Sequence, residues 1–272
     1  MRSTSNPAFR NLPSGGFGGG YAGFQTQPQA QPQGGMPGYG GAYQAPPTTG
    51  ERPMTVDDVV TKSAATIGLA LVTGIITAIA VQAQVISPWP PMIGGLVVGL
   101  VLSLVIIFKQ LPNPALVLTY SAAEGVFLGA ITGVFNYLYP GIALQAIMGT
   151  ALVFITMLVV YKTGAVRVTP KLTKWIIGAT VAAAGLMVIN LLMSLVGVNM
   201  GIRGGGTMAI IFSIIVIGIA AFNFLLDFDM ADQMIRTGMP SKWAWYAAFG
   251  LMTTLVWLYL EILRLLYYLQ SE

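Results

Sequence analysis

Apolar residues in this chain neither alternate with polar ones nor recur once per helical turn. They come in long runs divided by short polar breaks. Seven runs can be read, over about 63–86, 91–108, 115–138, 142–161, 175–197, 208–229 and 245–269. Each is close to the roughly 20 residues that a helix needs to cross a hydrocarbon core. A backbone in lipid must satisfy its own hydrogen bonds, so each run predicts a helix, and none has the period-two pattern of a barrel strand. The breaks are turn-forming: Ser87-Pro-Trp-Pro-Pro91, Pro112-Asn-Pro114, Tyr139-Pro-Gly141, the glycine-rich 201–206 and Gly238-Met-Pro240. The pattern predicts an all-α polytopic membrane protein of seven transmembrane helices.

Order begins near Thr55. Thr55-Val-Asp-Asp58 is a capping-box pattern, with Thr55 as N-cap and Asp57 and Asp58 at the positive end of the first helix. Residues 1–53 read differently. Pro13 to Gly50 is Gly, Pro, Gln, Tyr and Ala without a charge, a composition that cannot bury enough apolar area to offset ordering entropy. The expected organisation is therefore a disordered tail over 1–53 and a membrane domain over 54–272.

Composition changes what chemistry is open to such a protein. Of 272 residues, 55% are hydrophobic and 8% charged, against about 25% charged in an average soluble domain. That excludes an ordinary soluble enzyme and a solvated nucleic-acid binder. The chain has no Cys and no His, so thiolate chemistry, the commonest metal ligand and the usual proton shuttle are all absent. No tightly bound cofactor and no enzymatic activity are expected. Proton-linked behaviour must rest on carboxylates.

Charge position carries more than the net +4. Nine loop or juxtamembrane basic residues fall on the side of the tail, among them Arg52, Lys62, Lys109, Lys162 and Lys242, and only Arg203 falls on the other. By the positive-inside rule the tail is cytoplasmic and the C-terminus outside. Five charges remain inside the runs: Glu124, Asp227, Asp229, Glu261 and Arg264. A charge at mid-membrane costs at least about 2.5 kcal/mol, so each needs a partner, a proton or water. Four acids cannot be neutralised by one base. This local excess of acid points to protons or cations.

Each position also has a structural explanation. Glu124 adjoins Gly125, Gly129 and Gly133, a glycine seam that lets another helix approach closely, and it could be a hydrogen-bond donor locking that contact. Glu261 and Arg264 are three apart, which permits a local ion pair. Asp227 and Asp229 lie on different helix faces, so only one points into the bundle. If Asp227 met Glu261, the two could not easily both ionise; they would share a proton or bind a hard cation such as calcium. In a symmetric hairpin turning near Met239 the two are offset by about 15 Å. They meet only if residues 240–246 lie along the membrane surface or the helix breaks at Gly250.

Phe222-Asn-Phe-Leu-Leu-Asp227-Phe-Asp, Leu258-Tyr-Leu-Glu-Ile-Leu-Arg264-Leu-Leu and Ala123-Glu124-Gly125 resemble the signatures of the Bax inhibitor-1 family, in its bacterial YccA-like type. The resemblance covers about 60–270. It implies seven helices with the C-terminal one surrounded by the other six. It also implies a pH-sensitive calcium leak governed by an acidic pair on the last two helices, with Asp227 in the first position and Glu261 in the second, as proton sensor and calcium ligands. Glu124 matches the acid before glycine on the third helix, and Asp229 and Arg264 stand as supporting intramembrane groups. A second expectation is a regulator that transports nothing and binds a partner such as a membrane protease; a third is a proton-coupled transporter. The expected location is the plasma membrane.

Overall fold

The computed structural model describes residues 51–198 and 201–271, so the proposed disorder of residues 1–50 lies outside the described residues. Seven α-helices account for most of them: α1 Val56–Gln82, α2 Trp89–Lys109, α3 Pro114–Leu138, α4 Ile142–Thr163, α5 Pro170–Leu195, α6 Thr207–Arg236 and α7 Ala244–Ser271. A single 3-10 turn, Ser241–Trp243, joins the last two. All seven are long and apolar enough to span a membrane. Among the described residues there is no strand, only an isolated bridge between Pro53 and Pro240.

The helix starts follow from local chemistry. Thr55 caps α1 in the capping box that the sequence predicts: its hydroxyl accepts from the Asp58 N–H, and its own N–H donates to the Asp58 carboxylate at 3.0 Å. Asn113 and Thr169 cap α3 and α5 with their side chains, each followed by a proline in the first turn. Helix α4 stops at Gly164, whose positive φ of 67° suits a residue without a Cβ.

Helix α7 forms the inner wall. It packs against α1, α3, α4 and α6 and is the most buried of the spans. The expected ring of six around it is only partly realised. Helix α2 packs chiefly on α3, and α5 on α6, each on the outside of the bundle. Lipid tails are as apolar as these helices, so a span need not reach the central helix to be stable.

Packing uses two devices. On one side the predicted glycine seam closes α1 onto α3: a Cβ at Gly125 would collide with Ala70 and Thr73, and one at Gly129 with the backbone of Gly74. Thr73 also donates across this seam to the carbonyl of Ala122 at 3.3 Å. On the other side, rings fill the space between α4 and α6. Phe154 meets Phe224 edge-on at 5.3 Å, and Phe228 lies between Phe154 and Tyr161.

Candidate functional site

The last two helices form a nearly symmetric hairpin. Asp227 is nine residues before the end of α6 at Arg236, and Thr254 is ten residues after the start of α7 at Ala244. Equal depth places them face to face. The Thr254 hydroxyl donates to Asp227 Oδ2 at 2.6 Å. Gly250, one turn earlier on α7, leaves room before the carboxylate: a Cβ there would stand 3.9 Å from Asp227 Oδ1. The residue opposite Asp227 is thus a hydroxyl rather than a second acid.

Glu261 lies seven residues beyond Thr254, about 10 Å farther along α7 by helical rise. The structure does not bring Asp227 and Glu261 together. The glycine at 250 does not break the helix, and residues 240–243 turn too tightly to take up the offset. Glu261 has other partners. Its Oε1 accepts from Arg203 at 2.8 Å and from Arg264 at 2.9 Å, with the carboxylate 2% exposed as a residue. The local pair with Arg264 is as its spacing predicts. Arg203, from the glycine-rich loop between α5 and α6, adds a second positive charge. Two guanidiniums on one carboxylate leave the cluster net positive, which disfavours a cation there. The roles of calcium ligand and proton-sharing partner read for Glu261 therefore do not fit its surroundings.

The two-apart rule for Asp227 and Asp229 holds. While Asp227 faces α7, Asp229 accepts from Gln233 of its own helix at 2.6 Å. Asp232 pairs with Arg236 in the last turn of α6 at 2.7 Å. Among the described residues no three acids cluster as a metal site. Asp227 with the Thr254 hydroxyl supplies one carboxylate, far short of the six to eight oxygens of a calcium cage. Such a position could engage a cation in passing but not hold it.

Glu124 belongs to a second polar group, on the far side of α7. Its carboxyl lies over Gly99 of α2, where an added Cβ would come 2.8 Å from Glu124 Oε1. The Tyr120 hydroxyl, one turn earlier on α3, lies near it. Tyr120 OH in turn lies 3.3 Å from Thr253 Oγ1. Thr253 and Thr254 are neighbours, so α7 presents one hydroxyl to the Glu124 group and the next to Asp227. Tyr120, Thr253 and Thr254 were missed in the sequence because none is charged. A Thr-Thr pair within an apolar run was the available signal.

A third assembly closes the end where α1 and α7 begin. The Met54 N–H donates to the Met239 carbonyl at 2.7 Å, and the Ser241 N–H to the Arg52 carbonyl at 3.0 Å. Arg52 clasps Asp58 through both guanidinium nitrogens at 2.8 Å. Lys62 donates to the Ser241 carbonyl at 2.6 Å, and Lys242 pairs with Glu51 at 3.4 Å. Residues 51–53, assigned to the tail from composition, are therefore part of the folded unit.

Comparison with known proteins adds one finding. A family model described as Bax inhibitor 1 like matches residues 6–271, which takes in the glycine-rich segment that the signature residues left outside the resemblance. No curated protein matches the chain.

Proposed function

The chain belongs to the Bax inhibitor 1-like family, and from that premise we propose that it is a pH-sensitive cation leak, with calcium as the transported ion and Asp227 as the group that responds to protons. The proposal places it in the plasma membrane with residue 51 on the cytoplasmic side, in keeping with the nine-to-one distribution of Lys and Arg. One observation carries the reading: the acid deep in α6 is met by a neutral hydroxyl from α7 and, among the described residues, by no basic side chain. A carboxylate so placed is not locked by a counter-charge, so protonation and cation binding compete for it. Glu124, reached through Tyr120 and Thr253, is the second acid in position to take part.

Purified protein in calcium-reporter liposomes tests this. Wild-type flux should depend on pH, Asp227→Asn should flatten that dependence, and Glu261→Gln should leave its shape unchanged. Equal flux from wild type, Asp227→Asn and empty liposomes overturns the proposal. The clasp around Arg52 and Ser241 favours a second reading, a regulator that binds a partner such as a membrane protease through its N-terminal segment. On that reading deletion of residues 1–50 removes the effect and Asp227→Asn does not.

A further inference from the structure

Helices α1 and α4 both pack on α3 and α7 but make no substantial contact with each other. Between them lies a cavity of about 490 Å³. It runs along α1 from Ile67 to Gln82 and along α4 from Ala143 to Phe154. Fifteen residues of α1 correspond to about 22 Å of helical rise, which is more than half of a hydrocarbon core about 30 Å thick. The groove therefore has the reach of one leaflet.

Its chemistry is that of a lipid tail rather than of an ion path. The lining surface is almost wholly apolar, from aliphatic side chains with Phe154 and Tyr259, and the hydroxyls in it are engaged with protein groups. Thr132 and Tyr259 bond each other at 2.7 Å, and Thr150 donates to the Ala146 carbonyl at 2.8 Å. A cavity without free polar groups stays dry and takes apolar guests. Its outer side is open, since Leu71, Ile75 and Ile79 of α1 are exposed where the bilayer surrounds the fold. Polarity returns only at one end. There the Asn136 amide donates to Gln82 Oε1 at 3.0 Å, a bond that does not use the amide nitrogen of Gln82. That end coincides with the C-terminus of α1, the level of the membrane interface.

We propose that this groove is a binding site for one acyl chain of a phospholipid from the leaflet on the Gln82 side, with the ester region of the lipid at Gln82 and Asn136. The site is separate from the Asp227 and Glu124 groups and does not depend on whether the protein conducts cations. It would hold a lipid longer than a lipid-facing surface built from a single helix does, because the chain is met by four helices.

The full-length protein in nanodiscs of phosphatidylcholine carrying a diazirine near the end of one acyl chain provides the test. After illumination and digestion, label on α1 and α4 groove residues should exceed that on the lipid-facing surfaces of α2 and α5 by about fivefold, equivalent to about 1 kcal/mol of preference. Ala143→Phe and Ala151→Phe, which fill the groove, should remove that excess and leave α2 and α5 labelling unchanged. Label spread evenly over all outer surfaces means ordinary boundary lipid and overturns the proposal. So does an excess that survives both substitutions, or a groove left unlabelled because a second copy of the chain covers it. If neither variant folds, the labelling ratio of the wild type still decides.

Discussion

Asp227 and Glu261 are both acids inside spans of one hairpin, and their surroundings are opposite. Glu261 is fixed by two arginines, one from its own helix and one from a distant loop. Asp227 is met by a hydroxyl. An intramembrane carboxylate is thus no signal of function by itself. What distinguishes a lock from a responsive group is whether its charge is already answered. Glu261 ties the 201–206 loop to the end of α7, and Asp227 has no basic partner within ion-pair distance among the described residues.

The sharpest way to break this contrast is to remove the locked acid. Glu261→Ala leaves Arg203 and Arg264 facing each other without their counter-charge and should cost about 3 kcal/mol. Thermal unfolding in detergent micelles would show it. Replacing all three, as Glu261→Leu, Arg203→Leu and Arg264→Leu, should recover most of that loss, since an apolar substitute for a buried ionic group is often neutral. A triple variant no better than Glu261→Ala would mean that the cluster is not a self-contained lock.

Thr254→Val comes next. It removes the hydroxyl that meets Asp227 and should cost about 2 kcal/mol, the range for a hydrogen bond to a charged group. Thr254→Ser should restore stability in the same denaturation assay. If Val were neutral, Asp227 would be satisfied by something other than Thr254. The smallest effect belongs to an exposed ion pair. Arg52 is 63% exposed on its side chain, and Arg52→Ala should cost only about 0.5 kcal/mol, discounted for screening by solvent. A much larger loss would show that the clasp owes more to the guanidinium than to the backbone bonds beside it.

The seven helices were legible because the bilayer imposes length and composition on every span, and the read boundaries lie within a few residues of α2, α3, α4 and α7. Helix α1 begins seven residues earlier and α6 ends seven later than the apolar runs, because charged turns such as Asp57, Asp58 and Asp232 continue the helices into the interface. The glycine seam was legible too, since four-residue spacing is a property of one helix. The acidic pair was not. Its geometry depends on how the chain turns between α6 and α7, and the compact turn at 237–243 carries Thr254, not Glu261, to the depth of Asp227. Arg203 stands 58 positions from Glu261 and could be paired with it only by folding. The clasp was hidden for a similar reason: main-chain bonds from Arg52 and Met54 leave no trace in side-chain pattern.

The bonds at the two ends of α7 restrict how the central helix can move. At its start, main-chain hydrogen bonds at Met239 and Ser241 tie the preceding turn to Met54 and Arg52. At its far end, the Tyr268 hydroxyl donates to the Arg203 carbonyl at 3.0 Å and Gln270 donates to Gln145 at 3.2 Å. Sliding along the helix axis would break both sets at once. The inner helix of this bundle is therefore pinned at both ends against displacement along its own axis.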